Sequence, residues 1–241
     1  MGRACYAELA AAVRSAAAGL AWRGLQPADA VGLLLPDAAC YVVAAHAVRA
    51  AGGVPSPVAA GLTVPEIAAQ LGDCGARLLL TGPPLEAVAQ AAAERCLVRQ
   101  VISFGEAPGT VQFSAVLQMG TLPARVGRPK DQALLPYSRE PDGVLRPTPV
   151  SHRDLDDILA RMDAETGSIG EADVVLAVPP AGDGLNYTAL LDHALLRGAT
   201  LVPARADELE SAADAHRATA VIAVGEAAGA VRRLRVLPVL Y

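Results

Sequence analysis

Aromatic side chains make up only 3% of the 241 residues, with one Trp and two Phe. That scarcity argues against stacking platforms for nucleobases. Lys130 is the sole lysine beside 19 arginines, and no basic block stands out in a chain of net charge −5. Nucleic-acid binding is therefore disfavoured. No C-x-x-C pair occurs; Cys5, Cys40, Cys74 and Cys96 are scattered and have no His at metal-ligand spacing. Buried, inert thiols are expected rather than a zinc site or a disulfide framework, and no metal is expected. A reactive Cys40 near a helix start is the sharper alternative. No apolar run reaches the ~18–20 residues that a membrane span needs. The Ala-rich start, broken by Arg3, Glu8 and Arg14, has no cleavage pattern of a secretory signal, so a cytoplasmic protein is expected.

What is present is alanine and aliphatic residues in abundance: 53% of the chain is hydrophobic, with a mean hydropathy of +0.34. This length can bury a sizeable core. The periodicity alternates between helix and strand throughout. Tyr6 to Arg23 places Leu9, Val13, Ala16, Ala17 and Leu20 on one helical face. Ala30 to Leu35 is a continuous apolar run, the pattern of a strand covered on both faces. Thr63 and Glu66 have capping-box spacing and open another helix. Strands are expected at 77–80, 98–103, 132–137, 173–178, 200–203, 220–224 and 234–240, with helices between them. This rhythm predicts an α/β fold of two lobes, each a mainly parallel sheet flanked by helices. The first lobe is expected over 1–104 and the second over 131–241. Gly, Pro, Thr and Gln punctuate 105–130, which reads as the connection.

The run YSREPDGVLRPTPVSH, Tyr137 to His152, follows a predicted strand, where an α/β enzyme would place a phosphate loop. Such a loop needs successive backbone N–H groups, small residues and usually a Lys. Here Pro141, Pro147 and Pro149 donate no N–H, and Glu140 and Asp142 would repel phosphate. Only Gly143 and Arg146 suit an anion. The run reads as a connecting hairpin.

The order of segments resembles one family. The stretch from Tyr6 to Val58, LTVPEIAAQLGDCGARLLLTG (Leu62 to Gly82), VSHRDL (Val150 to Leu155) and HALLRGATLVP (His193 to Pro203) are similar, in order, to the acyl- and aryl-CoA synthetases of the adenylate-forming superfamily. The resemblance implies the large N-terminal domain of such enzymes. They activate a carboxylate with ATP and pass the acyl group to a thiol. Their phosphate loop ends in P-K-G before a strand and a Thr-His pair. On this chain Gly143 matches a loop glycine, Arg146 replaces the lysine, Pro147 replaces the last glycine, and Ser151-His152 matches Thr-His. The family's aromatic-His motif should follow Val178, where this sequence has Pro179 to Gly184 instead. The adenine- and ribose-binding motifs and the C-terminal domain with its catalytic Lys have no counterpart, so a truncated, degenerate member is expected.

The resemblance and the losses together predict a non-adenylating, synthetase-like pseudoenzyme with no cofactor. It would act by binding, as an assembly or regulatory subunit or as a holder of an acyl or aryl group. A protein partner is expected, either a second copy or a full-length adenylating enzyme, because a sheet ending at Leu240 would expose apolar area. The alternative is an enzyme whose inter-lobe cleft serves a different, ATP-independent reaction on an acyl or aryl substrate. Candidate ligand-binding residues are Tyr137, Ser138, Arg146 and Asn186; catalytic candidates are His152 and Asp183. Each has a plainer explanation. Arg146 suits a solvated hairpin, His152 a helix start behind Ser151, and Asp183 a shortened loop between Gly182 and Gly184. Asp192 and His193 adjoin on a helix and point to different faces, so they form no dyad by themselves.

Overall fold

The computed structural model describes residues 4–121, 124–125, 127–128, 130–165, 169–179, 184–222 and 234–236. By its contacts the chain forms two units: Met1–Pro36 with Cys40–His152, and Asp37–Ala39 with Arg153–Tyr241.

The first unit begins with α1 (Tyr6–Trp22), whose Ala16, Ala17 and Leu20 are fully buried. Small side chains there allow close approach: a Cβ built on Gly19 would collide with the Val116 carbonyl. Beyond α1 come β1 (Ala30–Leu34), α2 (Ala38–Ala50), β2 (Val54–Pro57), α3 (Val64–Asp73), β3 (Leu78–Thr81), α4 (Glu86–Ala93), β4 (Gln100–Ser103) and β5 (Val111–Gln112). The strands form one five-stranded sheet in the order β2-β1-β3-β4-β5, every pair parallel. The order reverses between β1 and β3, as in a doubly wound sheet. Ile67, Leu71, Leu79 and Ala89 pack from α3, β3 and α4 into one core cluster. The Thr63–Glu66 box forms as expected. Glu66 Oε2 accepts from the Thr63 N–H at 2.8 Å and from its hydroxyl at 2.7 Å, closing the first turn of α3.

Residues 105–121 do more than connect. They supply β5, α5 (Phe113–Val116) and a 3₁₀ turn (Leu117–Met119), and Ser15 Oγ on α1 donates to the Leu117 carbonyl at 2.6 Å. The expected strand over 132–137 is two strands, β6 (Gln132–Leu134) and β7 (Tyr137–Arg139), with different partners. Pro136 lies between them and has no N–H to continue a ladder. β7 pairs antiparallel with β8 (Leu145–Pro147), and β6 with β9 (Val150–Ser151). The Leu135 N–H donates to the Pro55 carbonyl at 2.9 Å, tying this segment to β2. Residues 131–152 thus group with the first unit, where the sequence reading opened the second lobe.

The second unit carries α6 (His152–Glu165), β10 (Val174–Ala177), α7 (Gly184–Leu196), β11 (Thr200–Pro203), a 3₁₀ turn (Ala206–Glu208), α8 (Leu209–His216), β12 (Ala220–Ile222) and β13 (Arg235–Val236). Its four-stranded sheet runs β11-β10-β12-β13, again parallel. Leu176, Val178, Leu209 and Val221 form its core cluster. The helix expected between the strands at 220–224 and 234–240, and the strand end at Leu240, lie outside the described residues. Among the described residues, no helix is long and apolar enough to cross a membrane.

Candidate functional site

The stretch carried over from the family's phosphate loop is a β-hairpin. Ser138 pairs with Arg146, and Tyr137 with Pro147. At its tip, Glu140-Pro141-Asp142-Gly143 makes a β-turn, with the Gly143 N–H donating to the Glu140 carbonyl at 2.8 Å. Gly143 has φ +81°, a conformation that favours glycine. The Glu140 N–H donates to the Val144 carbonyl at 3.0 Å, and the Val144 N–H to Asp142 Oδ1 at 2.9 Å. The N–H groups of Glu140, Gly143 and Val144 are thus engaged inside the turn, and Pro141 and Pro147 supply none.

The side chains follow the same logic. Arg146 Nη2 donates to Asp142 Oδ2 at 2.8 Å, an exposed pair. Arg139 donates through Nη1 to the Gly143 carbonyl at 2.7 Å and through Nη2 to Glu66 Oε1 at 2.6 Å. Three donors, the Thr63 hydroxyl foremost, then the Thr63 N–H and Arg139, hold the Glu66 carboxyl down at about 2. Both guanidinium groups of this loop, those of Arg139 and Arg146, thus already hold local carboxylates.

Alternation along the strands separates the hairpin candidates. Ser138 and Arg146 are exposed cross-strand neighbours, with Ser138 Oγ 3.3 Å from Thr148 Oγ1. Tyr137 is buried, and its hydroxyl donates to Asp73 Oδ2 at 2.5 Å. Burial first, and then the Asp73 bond, push the phenol well above its usual range. His152 opens α6, its N–H donating to the Asp131 carbonyl at 3.0 Å. A Cβ built on Gly127 would collide with its imidazole, so the ring sits directly over that glycine. In the second unit Asn186 is half-buried on α7. Asp183 lies outside the described residues.

Sequence reasoning missed several partners, because each pair joins distant segments. Asp73 meets Tyr137, and Arg139 meets Glu66. On the second unit Arg197 pairs with Asp163. The almost fully buried His193 has Nε2 3.9 Å from Asp163 Oδ1, too far for a hydrogen bond. Burial depresses its pKa. The thiols differ from expectation in one respect: Cys40 is buried, Cys74 and Cys96 are half-buried, and Cys5 is exposed. Cys5 occupies the N-cap position of α1, at the open start of the first helix. No group of three His, Cys, Asp or Glu among the described residues could hold a metal ion.

A doubly wound sheet, a hairpin at the phosphate-loop position and a second parallel sheet define an adenylate-forming type of large domain. The chain belongs to the AMP-binding enzyme family, which it matches over residues 2–237. It is 31% identical over 217 residues to 4-coumarate–CoA ligase 3 of Oryza sativa subsp. japonica, which spans 87% of this chain and 38% of that protein. A long-chain-fatty-acid–CoA ligase from Archaeoglobus fulgidus superposes with a TM-score of 0.81 at 19% identity, over 93% of this chain and 46% of its own. The N-terminal domain of FACL13 from Mycobacterium tuberculosis does so with a TM-score of 0.79 at 20% identity, over 97% of this chain and 60% of its own. The chain therefore spans well under half of the curated relative's length.

Proposed function

We propose that this chain is a non-adenylating member of the AMP-binding family that works by binding. It would serve as an assembly or regulatory subunit, or hold an acyl or aryl group. Its partner would be a second copy or a full-length adenylating enzyme. One observation carries the reading: at the phosphate-loop position, the N–H groups of Glu140, Gly143 and Val144 are satisfied within the hairpin. A loop that must open three hydrogen bonds to meet an anion starts from a deficit, since each is worth ~1 kcal/mol net. Arg146 in place of the family's lysine, held by Asp142, adds to the argument.

Calorimetric titration with Mg²⁺-ATP tests it. No binding heat is expected at nucleotide concentrations of several millimolar. A Mg²⁺-dependent dissociation constant of about 1 mM or tighter overturns the reading. ATP–pyrophosphate exchange with a panel of aliphatic and aryl carboxylates is expected to stay at background. Sedimentation of the chain alone and with a full-length synthetase reports the partner.

A further inference from the structure

Beneath the sheet of the first unit, at the edge where its strands begin, a cavity of about 90 Å³ is lined by Arg23, Asp29, Arg77, Arg99 and Gln100, with Leu25 and Leu78 among its apolar walls. This is the edge opposite the strand C-termini, where α/β sheets ordinarily bind ligands. We infer that it is an oxyanion site for a phosphate-type group, held by Arg23, Arg77 and Arg99.

Three observations converge there. Leu78 pairs with Gln100 in the parallel register, so the preceding residues, Arg77 and Arg99, lie side by side on adjacent strand leads. The Arg99 N–H donates to the Arg77 carbonyl at 2.8 Å, which fixes the two backbones together. Like charges placed opposite one another across a strand pair repel, and an anion between them removes that cost. Second, Arg23 is anchored at the end of α1, with Nη1 donating to Gln100 Oε1 at 3.0 Å. Its Nε is enclosed and has no hydrogen-bond partner, a costly state for a cationic donor. Third, the lining holds three arginines and a single acidic residue. That carboxylate, Asp29, is already engaged, with Oδ2 accepting from the Gln26 N–H at 3.0 Å. Guanidinium forks match tetrahedral oxyanions and bind them through charge-assisted hydrogen bonds. The small volume admits one such group, not a nucleotide.

The chain contains its own reporter. Trp22 is the only tryptophan, and the Arg23 guanidinium carbon lies 6.0 Å from its ring centroid. The full chain is titrated with inorganic phosphate at constant ionic strength, with chloride as the control, while Trp22 emission and the melting temperature are followed. A saturable emission change and a phosphate-dependent rise in Tm are expected, with a dissociation constant on the order of 1 mM. Arg77→Gln and Arg99→Gln, both at exposed positions, are each expected to weaken binding about tenfold or more while keeping the parent's circular dichroism. A parallel titration with glycerol 3-phosphate separates the sources. Tighter binding than inorganic phosphate marks the site as the seat of a phosphate monoester, and equal binding marks it as a site for the free ion. Phosphate that changes neither signal beyond the chloride control overturns the inference, as do folded variants that bind as tightly as the parent.

Discussion

Tyr137 donates its phenolic hydrogen to Asp73 from 64 positions further along the chain, joining the first strand of the hairpin to the end of α3. The ring is buried, while the carboxylate is exposed. That bond, with the Arg139–Glu66 pair beside it, makes the hairpin part of the first unit's scaffold.

Tyr137→Phe keeps the buried ring and removes the bond. Because solvent reaches Asp73, the loss is expected near 1 kcal/mol, or about 2–4 °C in Tm for a chain of this size. The raised phenol pKa has a sign as well. Above the ordinary value of 10.0 the unfolded chain releases this proton and the folded chain keeps it, so stability falls as pH rises. Thermal melts should show that alkaline fall in the parent and a flatter profile in the variant. Identical profiles would remove Tyr137 from the account.

Glu66 gives the opposite pH dependence. Its folded pKa of about 2 lies below the ordinary 4.5, so its contribution is present above 4.5 and disappears as pH falls toward 2. Glu66→Gln should therefore be less stable than the parent at neutral pH, with the gap closing in acid. Urea midpoints at neutral pH and near the folded pKa measure it. A gap that is constant with pH would assign the effect to helix capping alone.

His193 should titrate below its ordinary 6.5, because burial disfavours the charged ring. The unfolded chain takes up this proton at a higher pH than the folded one, so stability is lost as pH falls below 6.5. With Arg197 already paired to Asp163, that carboxylate is not free to hold an imidazolium. Proton NMR of the imidazole resonances reads the pKa directly, and a value at or above 6.5 would show that Asp163 does pair with the ring.

Thr81 ends β3 with a fully buried hydroxyl that has no hydrogen-bond partner among the described residues. Thr81→Val replaces the hydroxyl with a methyl of nearly the same shape. Burying an unsatisfied hydroxyl costs about 1–3 kcal/mol, so the variant should match or exceed the parent in a denaturant melt. A loss of more than about 1 kcal/mol would mean that the hydroxyl has a partner after all.

Much of the local structure was legible in the sequence because it depends on neighbours in the chain. The Thr63–Glu66 spacing predicts a capping box, and the box is there. The apolar run at 30–35 predicts a strand covered on both faces, and Val31 to Leu34 are buried in β1. Proline and acid content at 140–149 predicts a connecting hairpin, and β7 and β8 form one. Pro136 carried a signal that the strand reading over 132–137 passed over, since a missing N–H divides a ladder whatever the hydrophobic pattern.

What tertiary structure alone decided is which distant residues meet. Periodicity is a property of windows a few residues long, and it carries nothing about the order in which strands lie side by side. Only the order β2-β1-β3-β4-β5 brings Arg77 beside Arg99, and only the return of the chain at 137–139 sets Tyr137 on Asp73 and Arg139 on Glu66. The sequence by itself determined an α/β chain of synthetase type with a proline-bearing hairpin at the phosphate-loop position, because turn residues and missing N–H groups are local facts. The placement of its arginines and of the carboxylates met by Tyr137 and Arg139 was decided by the path of the chain between them, which joins segments that no local rule relates.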